Sequence, residues 1–205
     1  METKLNNSKK MTTKATKFGF LIFSTLFLLP QFACSQKGHY MADLRINSVV
    51  LKNTPPNYVD YFSNCKTIED KTYWDDEIEQ NVRQFVVECD SIRIQNEKYL
   101  STGNTYTNVI EVLSSKHNLF YKEQKFSVGT TIEDIGKIFP TVQEQYKEYM
   151  KNQPDRYDEI IRLDNQMYMK VEGVEEDVPV QGIKFDVRRG IIVSIIIDFR
   201  ADGDF

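Results

Sequence analysis

The sequence contains few of the side chains that metal and catalytic sites need. Its 205 residues include two histidines, three cysteines and one tryptophan. The histidines form no His-x-x-x-His pair and the cysteines form no Cys-x-x-Cys pair, so we predict no metal site and no cofactor. The Gly-x-Ser-x-Gly motif that exposes a nucleophilic serine is also absent. We therefore assign no residue to catalysis.

Glycine and proline are also scarce, with nine and six residues. This content excludes a collagen-like or low-complexity chain. Hydrophobic residues make up 40% of the sequence and charged residues 27%, which is typical of a folded protein. The length is sufficient for one substantial hydrophobic core or for two small ones.

The first 33 residues have the pattern of a signal peptide. Five lysines and one glutamate lie in residues 1–17, and residues 18–29 form an almost continuous apolar run. This run has 12 residues, whereas a membrane-spanning helix needs about 20. We therefore predict export, followed by removal of residues 1–33.

The sequence around residue 34 resembles the end of a bacterial lipobox. Ala33 precedes Cys34, and Cys-Ser-Gln-Lys after a Phe- and Leu-rich run is similar to the lipoprotein leaders of Bacteroidota. The resemblance implies that the Cys34 thiol carries a lipid such as palmitate, which attaches the protein to a membrane of the cell envelope. Ala33 and Ser35 also satisfy the small-x-small rule of ordinary signal peptidase, so a free periplasmic or secreted protein is the alternative.

The charge of the remaining chain is acidic. Without residues 1–33 it keeps 21 basic and 29 acidic residues, a net charge of −8. Such a chain lacks the basic patch that neutralises phosphates, so we predict that it binds no nucleic acid.

The cysteine count bears on the redox state of the exported protein. Acylation of Cys34 leaves Cys65 and Cys89 as a pair in an oxidising compartment, which predicts a disulfide. The bridge would close a loop of about 25 residues and stabilise the fold by roughly 3.5 kcal/mol. Two separate buried thiols are the alternative, because spacing alone does not show that the two side chains meet.

Hydrophobic patterning predicts an α+β fold, in which one or two helices pack on one face of an antiparallel β-meander. Residues 34–43 form a polar tether, and residues 44–205 form an extracytoplasmic region of one domain or of two subdomains that divide near residue 120. Alternating or β-branched patterns predict strands at residues 44–51, 83–89, 91–95, 120–127, 160–163, 166–171, 181–187 and 191–199.

Three segments between these strands have weaker patterns. Residues 57–64 indicate a short helix, and residues 66–80 a charged connection around the single tryptophan. Residues 107–113 suit a strand or a capped helix equally, so this segment stays open. Turns are predicted at residues 164–165 and 189–190.

The clearest helix follows residue 130. Residues 130–133, Thr-Thr-Ile-Glu, match the capping box with Thr130 as the N-cap. Isoleucines at 132, 135 and 138 then lie on one helical face, and Pro140 ends the helix. A second helix is predicted at residues 143–151. In the last strand, residues 191–199, the odd positions are all apolar and Ile192 and Ile196 add apolar groups on the other face, which predicts a central strand covered on both faces.

The beginning of this first helix resembles a known family. Small extracytoplasmic domains of the BamE and β-lactamase-inhibitor-protein-like kind begin their first helix with Gly-Met-Thr and pack two helices against an antiparallel meander. The residues Gly129, Thr131, Ile135 and Phe139 match that spacing, and the resemblance covers about residues 120–200. It implies a protein-binding or assembly role and carries over no catalytic residue.

Two groups of carboxylates lie late in the sequence. Neither has the spacing of a calcium-binding EF-hand loop, so we interpret both as solvated charge. A carboxylate pair for glycoside hydrolysis stays open, because any two acids can meet in a fold. The groups are Asp198, Asp202 and Asp204, and Glu172, Glu175, Glu176 and Asp177.

These observations predict a non-catalytic envelope lipoprotein that binds another envelope protein, in envelope assembly or in inhibition. A hydrolase with an unrecognised carboxylate site, or a carbohydrate- or small-ligand-binding protein, is the alternative. An exposed apolar or aromatic patch would favour protein binding, whereas a deep pocket with convergent polar groups would favour the alternatives.

Overall fold

The computed structural model describes residues 38–52, 56–170 and 177–201. The predicted signal peptide and Cys34 lie outside these ranges, as do Glu172, Glu175, Glu176, Asp202 and Asp204. Among the described residues 52% are in strands and 18% in helices, and all the strand pairings are antiparallel, which confirms the predicted antiparallel β character. None of the described helices has the length and hydrophobicity of a membrane-spanning helix.

The described ranges contain eleven strands, two α-helices and three short 3-10 turns. The 3-10 turns are Met41–Asp43, Tyr58–Tyr61 and Pro154–Arg156. The helices are α1 (Ile132–Gly136) and α2 (Pro140–Asn152). The strands are β1 (Leu44–Ile46), β2 (Val49–Val50), β3 (Cys65–Asp75), β4 (Gln80–Cys89), β5 (Ile92–Tyr99), β6 (Thr105–Val112), β7 (Leu119–Tyr121), β8 (Gln124–Phe126), β9 (Ile161–Met169), β10 (Val178–Arg188) and β11 (Ile191–Ala201).

Seven of the strands form one large sheet in the order β3-β4-β5-β6-β11-β10-β9. Two meanders, β3 to β6 and β9 to β11, meet where β6 pairs with β11, so the sheet continues across the predicted division near residue 120. The other four strands form a small sheet in the order β2-β1-β7-β8.

Several sequence predictions are corrected by the strand boundaries. Residues 66–80, predicted as a charged connection, contain most of the eleven-residue strand β3. Residues 164–165, predicted as a turn, lie within the continuous strand β9, where Asn165 is 5% exposed. Residues 107–113, left open, lie in β6 up to residue 112, and residues 57–64 contain only a 3-10 turn.

The last strand, β11, is central as predicted, because it lies between β6 and β10. Its alternation is interrupted by one extra residue: Asp186 pairs with Ser194 but Val187 pairs with Ile192, so Val193 is the bulged residue. The bulge turns Ile192 into the core at 1% exposure and leaves Ile191 45% exposed. The odd-numbered residues of β11 were expected to face one side of the sheet. This expectation is wrong for Ile191, which precedes the bulge and is exposed.

The start of α1 is capped one residue later than predicted. Thr131, and not Thr130, is the N-cap, and its Oγ1 accepts a hydrogen bond from the Asp134 backbone N at 3.2 Å. Pro140 does not end α1 as predicted, because α1 ends at Gly136 with Lys137 as its C-cap. Pro140 is instead the first residue of α2, where a missing N–H leaves no helical hydrogen bond unmade.

Residues from both sheets and from the helical segment share one hydrophobic core. Ile195 of β11 is fully buried between its partners Phe185 and Val112. The Phe139 ring lies 5.7 Å from that of Phe185 and 5.8 Å from that of Phe126 in the small sheet. The apolar side chains on one face of the large sheet therefore form part of this core.

The end of the predicted tether, residues 38–43, is part of this folded unit. Met41 is fully buried, and the His39 carbonyl accepts a hydrogen bond from the Tyr168 backbone N at 2.8 Å. The His39 ring lies 5.1 Å from the Tyr121 ring and 5.0 Å from the Phe139 ring. Its Nδ1 lies 3.1 Å from Nδ2 of Asn165.

We predict that Ile195→Asp lowers the free energy of unfolding by about 4 kcal/mol, because it places an unpaired charge in the core. The matched control is Ile191→Asp on the same strand, where the side chain is 45% exposed and the loss should stay below about 1 kcal/mol. Urea denaturation of both variants measures the difference. Equal effects would mean that β11 does not carry the core.

A second prediction concerns pH. Burial, and then the charge of Lys122, lower the pKa of His39 below its usual 6.5, while Asp43 opposes them. The unfolded chain therefore binds this proton more readily, so the stabilisation is complete above about pH 6.5 and is lost as the pH falls through and below that value. His39→Gln should flatten the pH dependence of the melting temperature between about pH 5 and 7. His117→Gln is the control, and a flattening in that variant alone would contradict the assignment.

Candidate functional site

The strand β3 forms one edge of the large sheet, and its side chains are open to solvent on both faces. It pairs with β4 from Cys65 opposite Cys89 to Asp75 opposite Gln80, and no described strand pairs with its outer side. Residues 65–74 are all exposed, and Asp75 is half-buried. Threonines, Ile68, Tyr73 and Trp74 give this segment its strand propensity despite its charges.

A tight turn of residues 76–79 joins β3 to β4. The Asp75 Oδ1 atom accepts hydrogen bonds from the backbone N atoms of Glu77 at 3.0 Å and Ile78 at 3.3 Å. Glu79 has a φ of 51°, in the left-handed region. The aspartate side chain thus holds the backbone of the turn, while the side chains of residues 76–79 remain exposed.

The opposite end of β3 is fixed to β4 by a disulfide. Cys65 and Cys89 are directly paired in the ladder and are joined covalently, with a Cα–Cα distance of 4.2 Å, which confirms the predicted bridge. Cys89 is fully buried, so the bond ties the exposed edge strand to the core.

An ion pair holds the middle of β3. Arg83 of β4 binds the Asp70 carboxylate through two nitrogens, with the Nε–Oδ1 distance at 2.8 Å, and its guanidinium lies 5.5 Å from the centre of the Phe85 ring. The hydrogen bond and charge of Arg83 lower the pKa of Asp70. Asp70 therefore stays ionised at neutral pH.

Large apolar side chains are exposed where β3 ends. Trp74 is 55% exposed, Ile78 43% and Leu100 47%. Trp74 pairs with Asn81, whose carbonyl accepts a hydrogen bond from the Leu100 backbone N at 3.2 Å, so the three adjacent segments meet at one end of the sheet. We call Trp74, Ile78 and Leu100 the tip surface.

The face of the large sheet opposite the core is polar and carries a cavity of about 240 Å³. Two buried carboxylates lie on this face. Arg162 binds Asp186 at 2.8 and 2.9 Å, and Ser194 donates to the same carboxylate at 2.9 Å. Arg200 and Lys184 bind Asp198, whose side chain is 1% exposed. The cavity is lined by Gln95, Val109, Glu111, Arg162, Lys184, Ile196, Asp198 and Arg200.

Both carboxylates are stabilised in their charged form. Burial alone raises the pKa of Asp186, but the hydrogen bonds from Arg162 and Ser194 outweigh it and the pKa is lowered. Burial likewise raises the pKa of Asp198, and the side-chain and backbone hydrogen bonds from Arg200, with the charge of Lys184, bring it below its usual value. Neither group can donate a proton at neutral pH.

The other residues considered in the sequence are not brought together. His117 places Nε2 2.6 Å from the Asp90 carbonyl and Nδ1 3.3 Å from Asn47. His39 lies at Asn165, and Asp177 accepts a hydrogen bond from the Tyr40 hydroxyl at 2.5 Å. In the described part of the chain no three His, Cys, Asp or Glu side chains form a group that could hold a metal ion.

Sequence reasoning missed the edge strand and the tip surface. Their signal was present in the Thr-Ile and Thr-Tyr-Trp residues of 67–74, followed by the acidic turn residues, but no apolar alternation accompanied it. A strand exposed on both faces has no buried side to produce such an alternation.

We predict that Cys65→Ser/Cys89→Ser lowers the free energy of unfolding by about 3.5 kcal/mol, because the bond closes a 24-residue separation in the unfolded chain. Hydrogen exchange of the β3 amides near residue 65 should also become faster, since that end of the edge strand loses its covalent attachment. Thermal melts and amide exchange measure both effects. An unchanged melting temperature would contradict the stabilising role.

Comparisons with family models, with curated proteins and with solved structures find no match to this chain.

Proposed function

We propose that this chain is a non-catalytic protein of the cell envelope, attached through a lipid on Cys34, that binds a strand of another protein along β3. The observation that carries the proposal is the outer edge of the eleven-residue strand β3, with which no described strand pairs and whose side chains are exposed on both faces. An edge strand presents a row of backbone N–H and C=O groups on its outer side, and an extended segment of a partner can pair with them.

The devices that usually protect a sheet edge are only partly present on β3. The strand is long, contains no proline and is covered by no described helix or loop, while Lys66 and Lys71 are the charges that oppose unselective pairing. Ile68 is 43% exposed and Tyr73 36%, so the two faces offer apolar contacts between the charges. Main-chain pairing would supply affinity, and these side chains would supply selectivity.

The disulfide and the Asp70–Arg83 ion pair hold β3 in its extended form before any partner arrives. A rigid edge loses less conformational entropy on binding than a mobile one. The strand β3 is therefore pre-organised for pairing with an extended segment of a partner.

The proposal includes the packing of the helices on one face of the sheet. The 5.7 Å contact of Phe139 with Phe185 supports it, as does the hydrogen bond from Gln145 Nε2 of α2 to the Asp164 carbonyl at 2.9 Å. Asp164 lies on β9, the edge of the sheet opposite β3. Helices in that position leave the β3 edge open.

Binding is favoured over hydrolysis by the state of the buried acids. A glycosidase needs one carboxyl group with a raised pKa as its general acid. Asp186 and Asp198 both have lowered pKa values and are held by arginines. The cations that line the cavity are bound to these carboxylates, which also leaves few free charges for a small ligand.

Site-specific photo-crosslinking in the producing cell tests the proposal. A photoreactive phenylalanine derivative at Lys71, exposed on β3, should yield a covalent adduct with a discrete second protein. The matched control is the same substitution at Lys147, which is exposed on α2. Adducts of equal yield at both positions, or at Lys147 alone, would show that β3 is not the binding edge.

A further inference from the structure

Two of the three residues of the tip surface, Trp74 and Ile78, lie within an acidic part of the chain. Residues 66–79, which comprise β3 and its turn apart from Cys65, carry six acidic and two basic side chains. Four of the acids, Asp75, Asp76, Glu77 and Glu79, directly surround Ile78 in sequence. The exposed apolar groups at this end are therefore bordered by concentrated negative charge.

The cations nearest in the ladder do not cancel this charge. Arg83 is bound to Asp70, and Lys98 pairs with Arg83 two positions before the row that contains Asn81 and Leu100. Residues 76–79 are exposed and make no ion pair within 4 Å among the described residues. The electrostatic field of the carboxylates in residues 76–79 is therefore accessible to a binding partner.

We propose that the segment bound along β3 is cationic, with lysine or arginine residues that meet the acidic turn and an apolar residue that covers the tip surface. This inference rests on the proposed function and adds the chemistry of the partner. Charge complementarity steers such a segment to this end of the strand and disfavours an acidic one. The same charge repels anionic lipid surfaces and nucleic acids, so an apolar tip with an acidic border suits a basic peptide.

The single tryptophan provides a direct readout of the tip. Trp74 is the only tryptophan in the chain and is 55% exposed, so its fluorescence reports occupation of the tip surface. Hydrogen exchange of the β3 amides reports pairing along the edge. The two signals separate contact at the tip from strand addition.

The probes are two capped decapeptides, one of alternating valine and lysine and one of alternating valine and glutamate. The lysine peptide should protect the β3 amides and shift the Trp74 emission to shorter wavelength, and the glutamate peptide should bind at least about tenfold more weakly. Glu77→Gln/Glu79→Gln should weaken the lysine peptide about fivefold, since two exposed charge pairs are removed. Glu144→Gln/Glu148→Gln, the same substitutions at exposed positions of α2, should leave its affinity unchanged.

Four other outcomes would overturn the inference, and one of them would also overturn the proposed function. Protection of β3 by both peptides equally, or insensitivity to Glu77→Gln/Glu79→Gln, would overturn the cationic partner and leave edge binding standing. A failure of both peptides to protect β3 would overturn both proposals. A shift of Trp74 emission with neutral phosphatidylcholine vesicles, and with neither peptide, would identify the tip surface as a membrane contact and overturn the inference.

Discussion

The pairing of β6 with β11 is the contact on which the rest of the structure depends. It joins residues 109–112 to residues 195–198, and through it the meander β3 to β6 and the meander β9 to β11 become one sheet. The residues that pair lie more than eighty positions apart in sequence, so their contact requires closure of a long loop. What stabilises it is burial: Ile195 and Ile197 of β11 and Ile110 and Val112 of β6 are all fully buried.

The hydrophobic core packs against this junction, and fewer side chains are buried in the strands that lie nearer to β3. Ile92 and Ile94 of β5 are fully buried and Val87 of β4 is 5% exposed, but no side chain of β3 is buried. The edge strand therefore gains almost nothing from the hydrophobic effect. Its order depends on the backbone ladder with β4, on the disulfide at Cys65 and on the ion pair of Asp70. Core and edge are held by different forces, and they should respond differently to reductant and to salt.

The same division explains what the sequence could reveal. Burial imposes a period on apolar residues, so β11, β10 and the two helices were predictable from alternation and from the Thr131 region. The bulge at Val193 was not, because one extra residue leaves composition unchanged while it reverses the faces before it. The sequence predicts a turn at Asn165 because the hydrogen bonds of this buried side chain, with Thr141 and with His39, come from segments that are distant in sequence. The disulfide was predicted from the number of cysteines. In β3 and the tip surface, by contrast, the apolar residues have no periodic pattern in the sequence.

An exposed edge is a hazard unless its partners are restricted, and the charges of β3 bear on that restriction. Lys66, Glu69, Asp70 and Lys71 place both signs along one half of the strand, whereas the end near Trp74 carries acids alone. Two copies paired in parallel and in register would bring each of these charges against its own copy, which opposes that mode of self-association. A partner with basic residues would meet no such repulsion at the acidic end. The charge pattern therefore permits an open edge strand to persist in an acidic protein while favouring strands of opposite charge.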